Sequence, residues 1–204
     1  MVCGFVKIKS YGINVQARII DIEPGLQAKP ATHADAVALA DLVEQNLAHI
    51  CAYLPAVAAL ASIAGAQAHI ERITDLAAKE ELLEWVLLLD GDMCGSIRLN
   101  QIDKESRKAR LGYFIGAQFQ GRGIMTKAVG AVCAFSFDTL DLNRIELRCA
   151  STNLASMRVA ERLGFVREGI LRQAELLGDA FVDLYVFGLL REEYMLLGHK
   201  PQSQ

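Results

Sequence analysis

Gln118-Phe119-Gln120-Gly121-Arg122-Gly123 is the stretch whose residue types and spacing come nearest to chemistry. It follows the apolar run from Ala109 to Ile115 and precedes Ile124, Ala128, Val132 and Phe135 at helical spacing, so a strand turns into a helix there. The first backbone N–H groups of such a helix have no partner within it. With the positive end of the helix dipole they form a site for a phosphate or pyrophosphate. Gly121 and Gly123 would let the backbone approach that ligand in conformations a side chain forbids. Arg122 and Lys127 would add positive charge. Spacing excludes two other phosphate loops. A dinucleotide fingerprint requires a third Gly where Thr126 stands, and a Walker loop requires Gly-Lys-Ser/Thr where Ile124-Met125 follow Gly123. A tight strand-to-helix turn with no ligand is the competing reading of the loop by itself.

Other reactive residue types fall into no ligand pattern. Cys3, Cys51, Cys94, Cys133 and Cys149 are scattered without a CxxC pair and read as reduced, mostly buried thiols. His33, His49, His69 and His199 show no ligand spacing, so no metal is expected. A net charge of −3 argues against a broad nucleic-acid surface and suits a cationic acceptor such as an amine. The chain has 204 residues, 52% hydrophobic and 22% charged, without linker or repeat, which fits a single domain over 1–204. The longest apolar stretch, Ala56 to Ala66, is too short to cross a bilayer, and Met1 to Gly12 lacks signal architecture; a cytoplasmic protein is expected.

The elements that must position the loop follow from periodicity. Residues 1–31 read as a strand region centred on Arg18 to Ile22. Thr32, three residues before Asp35, opens a helix through Leu39, Val43, Leu47, Ile50 and Leu54 that Pro55 stops. A second helix is expected within Ala56 to Ala78. Glu84 to Leu89 and Met93 to Ile102 form a hairpin around Asp90-Gly91-Asp92, and Ala109 to Ile115 adds a strand. Ile145, Leu147 and Cys149 alternate with charges as a strand, and Ala155, Val159 and Leu163 mark a short helix ended by Gly164. Phe165 to Leu171 and Ala180 to Leu190 close the chain as two strands. The order is β-α-α-β-β-β-α-β-α-β-β. It predicts an α/β (α+β) fold, a mixed and largely antiparallel sheet of about seven strands flanked by about four helices.

Taken together, Gln118-x-x-Gly121-x-Gly123 resembles the acetyl-CoA motif of the GNAT acetyltransferase superfamily. Leu142 to Cys149, Asn153-Leu154-Ala155-Ser156, Glu161 to Phe165, Glu168 to Arg172 and Leu189 to Tyr194 resemble its branch that acetylates ribosomal-protein N-termini. Asn46 to Pro55 resembles the first helix of that branch. The likeness covers about residues 15–195. One departure stands out: the branch places a bulky aromatic just past this Leu-Pro, and here Ala56-Val57 follow Pro55.

The resemblance implies roles. Backbone groups of Phe114 and Ile115 would bind the pantetheine arm of acetyl-CoA. Those of Gln120, Gly121, Arg122, Gly123, Ile124, Met125 and Thr126 would hold its pyrophosphate, and Asn153 would bond near the pantetheine amides. Ser156 and Glu175 stand at the branch's catalytic positions. By themselves, Ser156 reads as a first-turn residue, Glu175 as a strand-end carboxylate and Asn153 as a turn former. In the implied chemistry an amine attacks the thioester. An α-amino group, with pKa about 7.7–8.0, yields its proton more readily than a lysine at about 10.4. Glu175 would accept the proton, Ser156 would hydrogen-bond the departing sulfur, and the Ile115 N–H would face the oxyanion. Cys149, mid-strand without a paired His, argues for direct transfer over an acyl-enzyme.

The implied partners are acetyl-CoA and an amine acceptor, first a protein N-terminus, with no nucleic acid or membrane. A homodimer is an expectation from the resemblance. A small-molecule amine acetyltransferase (polyamine, amino sugar or antibiotic) and a non-enzymatic CoA-binding module are the alternatives.

Overall fold

In the computed structural model, which describes residues 18–198, the apolar alternation expresses itself as an eight-stranded sheet of order β1-β2-β3-β4-β5-β6-β8-β7. Its strands are β1 (Ile20–Glu23), β2 (Leu26–Pro30), β3 (Leu82–Leu89), β4 (Asp92–Asp103), β5 (Lys108–Ile115), β6 (Arg144–Ala150), β7 (Val166–Leu177) and β8 (Ala180–Leu190). Every ladder is antiparallel except that between β5 and β6. The helices are α1 (Ala36–Gln45), α2 (Leu47–Cys51), α3 (Ile63–Ala78), α4 (Ile124–Asp138), α5 (Leu154–Arg162) and α6 (Arg191–Leu196).

The mixed, largely antiparallel class holds, with one more strand than expected. Residues 20–30 make two strands because Gly25, at φ +82, turns the chain back after Pro24. Thr32 starts the helical region as predicted, its N–H and hydroxyl both donating to Asp35 Oδ2 at 2.7 Å. The predicted first helix does not run through to Pro55. It breaks at Asn46, whose side chain donates to Leu42 O at 2.9 Å and accepts from the Ala117 N–H at 2.8 Å. Pro55 begins a 3-10 turn, and α3 starts only after Ser62, whose Oγ accepts from the Gly65 N–H. Gly164 closes α5 at φ +78 as expected. The arm β7 extends to Leu177 across a bulge between Leu171 and Glu175, and α6 was not foreseen. Cys3 and His199 lie outside the described residues.

Two cores clamp the sheet. On one face Trp85, Ile97, Leu111, Ile145 and Leu147 pack under α4, where Trp85 meets the Phe135 ring edge-on at 5.6 Å. On the other, α1 and α3 bury Leu39, Val43, Leu60 and Ile70. They contact β3 and β4 and reach Phe114 at the end of β5; among the described residues neither lies over that face of β6 and β8. The β5–β6 ladder pairs only Lys108–Leu111 with Arg144–Leu147. Beyond those four pairs the strands splay, and the freed backbone edge of β5 is available to a ligand.

Candidate active site

A cavity of about 710 Å³ occupies that splay and passes through the sheet. Among the residues lining it are Phe114, Ile115, Gln120, Gly121, Gly123, Ile124, Met125, Thr126, Asn153, Ser156 and Glu175. The structure thus brings together all of the expected site residues except Arg122, which is exposed and not part of the wall.

The glycine loop has the shape that the expected phosphate site requires. Gly121 and Gly123 take φ of +73 and +75, and a Cβ built on either meets nothing within 4 Å. Both facts select glycine: a side chain would be strained, and the space in front of the backbone stays open for a ligand. Gly123 is the N-cap of α4, so the N–H groups of the first turn face the cavity end without helical partners. Lys127 does not supply the expected charge. Its Nζ is held by both oxygens of Glu23 at 2.7 and 2.8 Å.

Asn153 caps α5, its Oδ1 accepting from the Ser156 N–H at 3.0 Å, which leaves its amide NH2 for a ligand. Turn former and ligand contact are therefore compatible roles. Ser156 is buried, and its Oγ lies 2.8 Å from the Tyr113 hydroxyl. Burial raises the Tyr113 phenol far above its ordinary pKa, so the pair stays protonated and can donate toward the cavity. Cys149 also lines the cavity, but burial raises its thiol pKa. A protonated thiol is a poor nucleophile.

Glu175 sits half-buried on the opposite side. The register puts it across from Val182 on β8, hence on the sheet face carrying Glu146 and Arg148. His49, Tyr53 and Arg148 complete the wall there, with Gln120 Nε2 and His49 Nε2 2.9 Å apart. Ser156 and Tyr113 thus address one end of the splay while Glu175 faces the other.

A family model for the acetyltransferase (GNAT) domain matches residues 26–166. The chain belongs to the GNAT acetyltransferase family. YdaF of Bacillus subtilis (strain 168), a candidate ribosomal N-acetyltransferase, is 38% identical over 112 residues. That alignment covers 55% of this chain and 61% of YdaF, so the chain spans under two thirds of that relative's length. Among solved structures, the ribosomal L7/L12 alpha-N-protein acetyltransferase RimL in complex with coenzyme A superposes with a TM-score of 0.82 at 26% identity. The match covers 85% of this chain and 98% of RimL. The microcin C7 self-immunity acetyltransferase MccE, in complex with acetyl-CoA and AMP, superposes at 0.79 with 25% identity, covering 83% and 94%.

Three residues of this GNAT domain escaped the sequence reading. Tyr113 stood unmarked within the apolar run from Ala109 to Ile115; its contact with Ser156 distinguishes it. Arg148 read only as one of the charges alternating along a strand, because the sequence does not reveal that the sheet opens beside it. Asn46 read as helical, yet it bolts the break between α1 and α2 to the start of the glycine loop. Among the described residues no helix is long and apolar enough to cross a membrane.

Proposed function

We propose that this chain is an acetyl-CoA-dependent N-acetyltransferase that passes the acetyl group by direct attack to a primary amine, the N-terminal α-amine of a protein such as a ribosomal protein. The observation that carries this reading is the cavity through the β5–β6 splay, with the glycine cradle, Asn153 and Ser156 at one side and Glu175 at the other. CoA enters along β5 and α4, its pyrophosphate on the N–H groups from Gln120 to Thr126 and its pantetheine on the freed edge at Phe114 and Ile115. The amine arrives from the opposite face, gives a proton to Glu175 and attacks the thioester carbon. The C–S bond then breaks, and Ser156, backed by Tyr113, steadies the departing sulfur. The similarity to YdaF and RimL favours a protein N-terminus and, with it, a cytoplasmic setting.

The second reading is a small-molecule amine acetyltransferase. It is favoured by the likeness to MccE and by the small side chains after Pro55, which leave the 3-10 turn there without the expected aromatic. CoA release with a free α-amine peptide, its N-blocked form and a polyamine, followed by mass spectrometry, separates the two. Acetylation of the free peptide alone is expected; acetylation of small amines alone rejects the protein acceptor. A homodimer belongs to the first reading and is tested by light scattering of the full chain.

A further inference from the structure

The sheet face beside α1 and α3, where β4, β5 and β6 run toward the splay, carries arginines that the transfer chemistry does not use. Arg98 lies opposite Gly112, Arg110 opposite Glu146, and Arg148 two residues further along β6, all on the face where the acceptor mouth opens. Arg110 and Arg148 both donate through Nε to the same oxygen, Glu146 Oε1, at 3.2 and 2.7 Å. Among the described residues, the terminal nitrogens of neither guanidinium donate elsewhere. Burial opposes ionisation of Glu146, but Arg148, Arg144 and Arg110 outweigh it and hold the carboxyl below its usual range. Arg144 is taken up by Glu168. Glu84, opposite Arg98, accepts from His69 and Ser96 through Oε1; burial opposes its ionisation, but His69 and the Arg98 charge hold its carboxyl below the usual range, so Arg98 is steadied from that side without a hydrogen bond. Two guanidiniums oriented by one carboxylate, with their outer forks unfilled, form a built receptor for another carboxylate. Gly112, between Arg98 and the splay, lets the Arg98 side chain lie across β5: a Cβ added there would sit 3.5–3.9 Å from Arg98 Nε and Cγ and from Asn100 Nδ2.

We propose that this row, Arg98, Arg110 and Arg148, binds acidic side chains of the acceptor, so that the substrate is a polypeptide with Asp or Glu shortly after its free amine. The proposal rests on the peptide-acetylating reading above. Arg110 precedes Ile115 by five residues, about 17 Å along a strand. An extended acceptor running back along β5 beside the Arg98 side chain advances at about the same rate, so carboxylates at about its second to fifth residues meet the row. The polarity suits the reaction: a cationic amine approaches Glu175 while the acidic segment behind it lies on the arginines.

The test uses two free-amine hexapeptides, identical except for Glu or Lys at the third and fourth positions, assayed by CoA release at low and high salt. The acidic peptide is expected to have a kcat/KM about tenfold higher, the size of one charge-assisted hydrogen bond, carried by KM and shrinking with salt. The Arg98→Glu/Arg110→Glu double variant, whose changes lie outside the cavity wall, should reverse the preference. The milder Arg98→Gln/Arg110→Gln pair should abolish it, and is read instead where the Glu variant fails to fold. A preference that persists in the Gln pair overturns the proposal. Equal kcat/KM for the two peptides in the parent protein overturns it and leaves peptide acetylation standing. Acetylation of neither peptide overturns both.

Discussion

On the α4 side of the sheet the cavity wall is glycine backbone and apolar side chains, Gly121, Gly123, Ile124 and Met125, laid over a core that includes Trp85 and Leu147. On the far side it is His49, Tyr53, Arg148 and Glu175, side chains of a short helix, a sheet face and an exposed arm. In the proposed function the first wall binds the donor through main-chain groups whose positions depend on packing, and tolerates little change. The second recognises through side-chain charge, which one substitution can alter without moving the backbone. In the proposed reaction such a division would keep the acetyl donor constant while the acceptor varies.

The sharpest way to break that comparison is Glu175→Gln. Turnover should fall about 10²–10⁴-fold, the range of general acid–base catalysis, with CoA affinity unchanged; calorimetry beside the rate assay shows whether the two walls separate in this way. Trp85→Ala attacks the opposite wall from beneath. It should cost about 3–5 kcal/mol of stability in a denaturant melt, because a fully buried ring against Phe135 is lost. Asn46→Ala probes the joint between the walls. Leaving the Ala117 N–H unpaired should cost about 1–3 kcal/mol and raise the KM for acetyl-CoA more than that for the acceptor. Gly123→Ala, at φ +75, should cost about 1–2 kcal/mol and weaken CoA binding, whereas a change on the acceptor wall should leave that affinity alone.

The smallest effect concerns acid. Burial alone would raise the Asp35 pKa, but hydrogen bonds from Lys29 and Thr32 outweigh it and leave it lowered. Its contribution to stability is therefore complete above the unfolded pKa, about 3.9, and is lost as pH falls through the folded value. Asp35→Asn should flatten that part of the pH–stability curve; an unchanged curve would remove Asp35 from the account.

Much of the cofactor wall was legible in the sequence because its signals are local. A strand, two glycines at fixed spacing and a helix start follow one another within about fifteen residues, and each element's period or turn requirement is written in its own residues. The departures lie where local signals compete with tertiary contacts. Asn46 sits in a run whose apolar spacing continues as helix to Leu54, and only its buried bonds to Leu42 and Ala117 make a break there favourable. Lys127 looked like a phosphate ligand by its place in α4, until β1 delivered Glu23 to it from 104 residues away.

What the sequence by itself determined is the order of elements, the glycine cradle at the N-terminus of α4 and the chemical types at Asn153, Ser156 and Glu175, since these depend on neighbours within a turn or a strand. What only the tertiary structure decided is where β5 and β6 stop pairing. That point sets the cavity's path through the sheet and joins Tyr113 to Ser156. Strand splay depends on twist and on packing against α4 and α5 rather than on any residue's own preference, so no local pattern could have announced it.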